Sequence, residues 1–93
     1  MINSDVEKRA ITRLRKIEGQ IKGIQRMIVD RRYCIDVITQ LSAAESALRT
    51  VAEIILKNHL ETCVHQAFVS PDTREREAKI SELMKVYKNL QTH

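Results

Sequence analysis

Ninety-three residues allow one small domain, expected to span 1–93, and a limited core. With one Phe, two Tyr and no Trp, that core has to be filled by Ile, Leu, Val, Met and Ala, and so thin a core calls for a second copy of the chain. The net charge of +4 excludes an acidic protein and is unevenly placed: residues 1–32 hold nine Lys/Arg against four Asp/Glu, while residues 33–93 hold seven against eight.

The chain has only two Gly and one Pro, which rules out a turn-rich β architecture. Ile11, Leu14, Ile17, Ile21, Ile24 and Met27/Ile28 step by threes and fours and predict a first helix over residues 5–30. Asn3, Ser4 or Asp5 supplies its N-cap, and Asp30-Arg31-Arg32 breaks it. Gly19 and Gly23 lie four residues apart on this helix, a spacing that suggests close approach by another backbone.

From Tyr33 to Ser70 there is neither Gly nor Pro, and Ile38, Leu41, Ala44, Leu48, Val51/Ala52, Ile55, Leu60, Val64 and Ala67/Phe68 continue a helical pattern. A second helix of some 30 residues or more is expected there, longer than most globular helices. Ser70-Pro71-Asp72 stops it and opens a shorter third helix marked by Ile80, Leu83, Met84, Val86/Tyr87 and Leu90. The expectation is an all-α chain of three helices with a long second one.

No apolar run approaches the roughly 20 residues of a membrane span, and no secretory segment opens the chain, so a cytoplasmic protein without a membrane partner is expected. In that compartment two cysteines point to metal binding, redox chemistry or burial rather than to a structural disulfide. The basic excess confined to the first third suggests a polyanion-facing surface, the alternative being a solvated helix face. No nucleophile–base pair stands out, so neither an enzyme nor a small-molecule substrate is expected.

His59 and Cys63 are four residues apart on the second helix and project from nearly one face. Cys34 lies 25 residues before His59, about 37 Å away on an unbroken helix, so the two cannot share an ion within one chain. In an antiparallel pair of second helices, Cys34 of one subunit approaches His59 and Cys63 of the other, and two-fold symmetry makes two such sites. Two thiolates and an imidazole form a soft set suited to Cu(I), Zn or Fe–S chemistry. His65 points away from Cys63 and His93 is terminal, so no fourth ligand is evident and three-coordinate Cu(I) fits better than zinc.

Four segments together resemble the copper-sensing repressor family: Arg13–Ile24 (RLRKIEGQIKGI), Arg32-Tyr33-Cys34-Ile35-Asp36, His59-Leu60-Glu61-Thr62-Cys63 and Ile80-Ser81-Glu82-Leu83. The resemblance covers nearly the whole chain. It implies a repressor that binds operator DNA in the apo form and is released by Cu(I) at Cys34, His59 and Cys63, in an antiparallel dimer that assembles into a dimer of dimers. Relatives that sense nickel or cobalt carry an N-terminal His and a further His where Asn3 and Cys63 stand here. Formaldehyde sensors rely on an N-terminal Pro where this chain has Ile2, and persulfide sensors lack the His present as His59. The alternative within the same fold is a thiol-based persulfide or electrophile sensor using Cys34 and Cys63.

By the same resemblance Tyr33 and Glu82 form a hydrogen-bonded link from His59 to the third helix, in keeping with the need of a ligating His for a fixed partner on its other nitrogen. The DNA-binding positions implied are Arg13, Arg15 and Lys16 on the first helix and Arg49 on the second, with Lys8, Arg9 and Lys22 adding to the field. Such a surface implies salt-dependent binding, with specificity drawn from DNA shape.

Overall fold

The computed structural model describes residues 2–64, 69 and 72–91, with side chains for all of these except Cys63, Val64 and Gln91. Helix α1 spans Ser4–Val29, α2 spans Cys34–His59, a π-helical turn covers Leu60–Val64, and α3 spans Thr73–Gln91. There is no strand among the described residues. This is the expected three-helix, all-α chain with a long second helix.

Asn3 caps α1: its backbone is extended (φ −80°, ψ 166°) and its side-chain oxygen accepts from the Val6 amide at 2.9 Å. Asp5 and Glu7 in the first turn oppose the positive end of the helix dipole. At the other end Arg31 takes a left-handed φ of 55°. The Arg32 amide reaches back to the Met27 carbonyl at 2.9 Å and the Arg31 amide to the Ile28 carbonyl at 3.1 Å, a Schellman stop without the usual glycine. The chain then turns straight into α2, which begins at Cys34 after Tyr33.

α1 and α2 form an antiparallel hairpin, the Asp30–Tyr33 link at one end and a contact between Asn3 and Asn58 at the other. Ala10, Ile17 and Val51 make its centre, with Leu14, Ala47 and Ile55 packed against them. Val6, Ile24 and Ala44 extend the seam. Of the expected stripe on α1, Ile17 and Ile24 are buried, while Ile11, Ile21 and Ile28 are 42–59% exposed and Val6 and Ala10 complete the buried row. α3 begins behind Asp72, whose carboxylate accepts from the Arg74 amide at 2.9 Å, and none of its described side chains is fully buried.

The chain measures 59 × 28 × 13 Å, so thin that its helices form a single layer. One layer cannot enclose a core. Ile38, Leu41, Leu48, Met84 and Tyr87 accordingly stay 45–62% exposed. No helix among the described residues is long and apolar enough to cross a membrane.

Two expectations need correction. The second helix is α-helical only to His59; the next turn widens to π geometry through Val64, with the Thr62 hydroxyl donating to the Asn58 carbonyl at 2.8 Å. Thr39 and Thr50 make the same bond to the carbonyl four residues back within the regular part of α2, so the bond accompanies the π-turn without explaining it. Residues 65–68, Ser70 and Pro71 lie outside the described residues. The close backbone approach expected at Gly19 and Gly23 is not made within the chain: a Cβ on either would meet nothing within 4 Å.

Candidate metal centre

Cys34 is the first residue of α2 and His59 the last. Cys34 is an exposed free thiol. The His59 side chain is 29% exposed, and its Nε2 lies 3.8 Å from a Glu82 carboxylate oxygen on α3; the other Glu82 oxygen is 3.7 Å from Lys79 Nζ. His59 and Glu82 form one end of an apolar groove of about 410 Å³ between α2 and α3, walled by Ile55, Leu56, Leu83 and Val86. Nε2 faces the carboxylate, so Nδ1 is the nitrogen left for another partner.

Twenty-five residues of α-helix bring His59 to within about 20° of Cys34 around the axis while holding them about 37 Å apart. Between them Ile38, Leu41, Glu45, Leu48, Ala52 and Ile55 follow at alternating steps of four and three, an uninterrupted heptad seam. The sequence carried this signal, and a reading that stopped at amphipathic periodicity missed it. The seam is largely apolar, and Ile38, Leu41 and Leu48 stand uncovered along it. In an antiparallel pair it would put the two ends together.

Within one chain the described residues offer no group of three His, Cys, Asp or Glu able to hold a metal ion. Cys63 falls in the π-turn, but its side chain lies outside the described residues, as do His65 and His93. Tyr33 is 68% exposed beside Cys34, at the far end of α2 from His59, so it makes no link to His59 in its own chain. Among the described residues, then, the expected donors Cys34 and His59 stand at opposite ends of α2 and are not brought together within the chain.

A second groove, about 560 Å³, runs along α1 and is lined by Lys8, Arg9, Thr12, Arg13, Lys16 and Gln20, with Ala47 of α2 at its edge. Lys8, Thr12, Lys16 and Gln20 form an i+4 row on α1. Of the four predicted DNA-binding residues, the groove gathers Arg13 and Lys16. Arg15, two residues from Arg13, projects about 200° around α1. Arg49 lines a separate groove with Glu45, Leu48, Ala52 and Leu90. Thr12 and Gln20, neutral hydrogen-bonding groups among four cations, were not singled out by charge counting.

Comparison with known proteins agrees with this architecture. The profile of a family described as metal-sensitive transcriptional repressor matches residues 6–89. The chain is 45% identical over 86 residues to the copper-sensing transcriptional repressor CsoR of Bacillus subtilis (strain 168), covering 91% of this chain and 82% of that protein. The crystal structure of CsoR with Cu(I) from Geobacillus thermodenitrificans NG80-2 is similar at a TM-score of 0.83 and 38% identity, covering 98% of this chain and 94% of that one. The nickel-responsive transcriptional regulator InrS is similar at a TM-score of 0.74 and 30% identity, covering 89% and 90%. The chain belongs to the metal-sensitive transcriptional repressor family.

Proposed function

We propose that this chain is a Cu(I)-responsive repressor that holds operator DNA in its metal-free form and releases it when metal is bound between two subunits. The observation that carries this reading is the placement of Cys34 and His59 at opposite ends of one face of α2. That face is a self-complementary seam only when a second α2 runs antiparallel to it. Cys34 of one protomer and His59 and Cys63 of its partner then hold one ion. Two thiolates with one imidazole favour Cu(I), the ion named for the B. subtilis and G. thermodenitrificans relatives.

Each residue has a defined task. Cys34 and Cys63 supply thiolates, and His59 supplies Nδ1 while Glu82 faces Nε2. Tyr33, next to Cys34, comes to the same place as His59 and Glu82 only in the dimer. Cu(I), held by these residues, would tie the two subunits together. The Lys8, Arg9, Arg13 and Lys16 face of α1 neutralises phosphates, with Arg15 and Arg49 adding contacts in the assembled oligomer, a dimer of dimers. By linkage, operator DNA weakens metal binding by the factor with which the metal weakens DNA binding.

The test is anaerobic Cu(I) titration with a competing chelator, paired with fluorescence anisotropy on DNA from upstream of the chain's own gene. One Cu(I) per protomer and a loss of DNA affinity of about 10- to 100-fold are expected. Unchanged DNA binding at saturating Cu(I) overturns the reading.

A further inference from the structure

Asn58 is 4% exposed, the one buried polar side chain among the described residues, and it precedes His59. A polar group at such depth is tolerated only with its hydrogen bonds made. Its Oδ1 accepts from Asn3 Nδ2 at 2.9 Å and, more weakly, from the Asn3 amide at 3.5 Å. Asn3 in turn caps α1 through Val6. An apolar pair would hold these two helix ends together without such directional demands, so the bond fixes orientation more than it adds adhesion.

The Asn58 backbone is tied in the opposite direction. Its carbonyl accepts the Thr62 hydroxyl at 2.8 Å, at the point where α2 passes into the π-turn. In an α-helix that carbonyl takes the amide of residue 62. The stretch from 59 to 63 is the one whose geometry is set when His59 and Cys63 engage the same ion, and π-turns are common at sites that do work. Asn58 thus joins that turn, through its backbone carbonyl, to the cap of α1, through its side chain. Lys8 and Arg9, which open the basic groove, are within two turns of that cap.

We infer that Asn58 is a positioning residue for the repressor's response, carrying the state of the His59–Cys63 turn through Asn3 into the DNA-facing helix by a route that bypasses α3. This rests on the repressor reading above.

Asn3→Ser separates the two roles of Asn3, since Ser caps a helix about as well as Asn but has no Nδ2 to offer Asn58. The full-length variant is compared with wild type by Cu(I) competition, by DNA anisotropy with and without Cu(I), and by hydrogen exchange of residues 4–10 without DNA. N3S is expected to bind DNA within about twofold of wild type when metal-free, while its Cu(I)-induced loss of DNA affinity shrinks at least about fivefold. Cu(I)-dependent exchange at residues 4–10 is expected in wild type and lost in N3S. Asn58→Asp, which keeps the acceptor, is expected to retain more of the response than Asn58→Ala. If the Asn58 variants do not fold, N3S decides. A wild-type response in N3S by both readouts overturns the inference and leaves the repressor reading standing; a wild type that ignores Cu(I) overturns both.

Discussion

His59 Nε2 stands 3.8 Å from a carboxylate oxygen of Glu82, joining the last residue of α2 to α3. The separation is too long for a hydrogen bond. With side chains 29% and 53% exposed, the pair contributes no more than about 1 kcal/mol to stability. Its value lies in orientation: it aims one ring nitrogen at α3 and leaves the other for the seam. Glu82→Gln is therefore expected to shift the melting temperature by less than about 4 °C. Cu(I) affinity is expected to hold within about tenfold, with a marked loss of Cu(I)-induced DNA release. Calorimetry and anisotropy on the same preparation check this; normal release by E82Q would remove Glu82 from the response.

The proposed site has its sharpest consequence in the requirement that its ligands come from different chains. Cys34→Ser and the double variant His59→Ala/Cys63→Ser should each bind Cu(I) poorly alone. Mixed dimers of the two regain one complete site, because Cys34 of one chain meets His59 and Cys63 of the other. Chelator competition on the re-equilibrated mixture should recover high-affinity binding at one Cu(I) per mixed dimer. No recovery, with mixed dimers verified by mass spectrometry, would falsify the intersubunit site.

The basic groove of α1 predicts a strong dependence of DNA affinity on salt. Each phosphate neutralised adds about 0.9 to the slope of log K against log salt. Arg13→Ala and Lys16→Ala should each lower that slope by about 1. Thr12→Ala and Gln20→Ala should leave the slope unchanged and weaken binding modestly, because a neutral group releases no counterion. Anisotropy titrations across a salt series measure both.

Much of this was legible because helices write themselves into spacing. Ile17 and Ile24 recur every seven residues on α1, and the absence of Gly and Pro over Cys34–His59 leaves α2 no place to break. The heptad row from Cys34 to His59 was equally present in the sequence. What was not legible depends on partners far apart or leaves no mark in spacing. Asn3 and Asn58 are 55 residues apart, and nothing in either neighbourhood announces the other. The π-turn has no such signature either: Thr62 bonds the carbonyl four residues back just as Thr39 and Thr50 do in the regular part of α2. Charge counting located the basic helix but not its faces, so Arg13 and Arg15 looked equivalent although they project to different sides of α1.

Arg31 offers a test of the fold that leaves the metal chemistry alone. It ends α1 at φ 55°, a left-handed conformation that costs a side-chain-bearing residue about 1 kcal/mol or more and costs glycine little. The two Schellman bonds use only backbone, so they survive substitution. Arg31→Gly relieves the strain but enlarges the freedom of the unfolded chain, leaving a net gain of about 0.5–1 kcal/mol. For a chain of this length that is a rise of about 2–8 °C in melting temperature. Arg31→Val should move it the other way, because a β-branched residue resists positive φ most. Should R31G melt at or below the wild-type temperature, the left-handed stop between α1 and α2 would have to be abandoned, and with it the sharp reversal that brings Asn58 against Asn3.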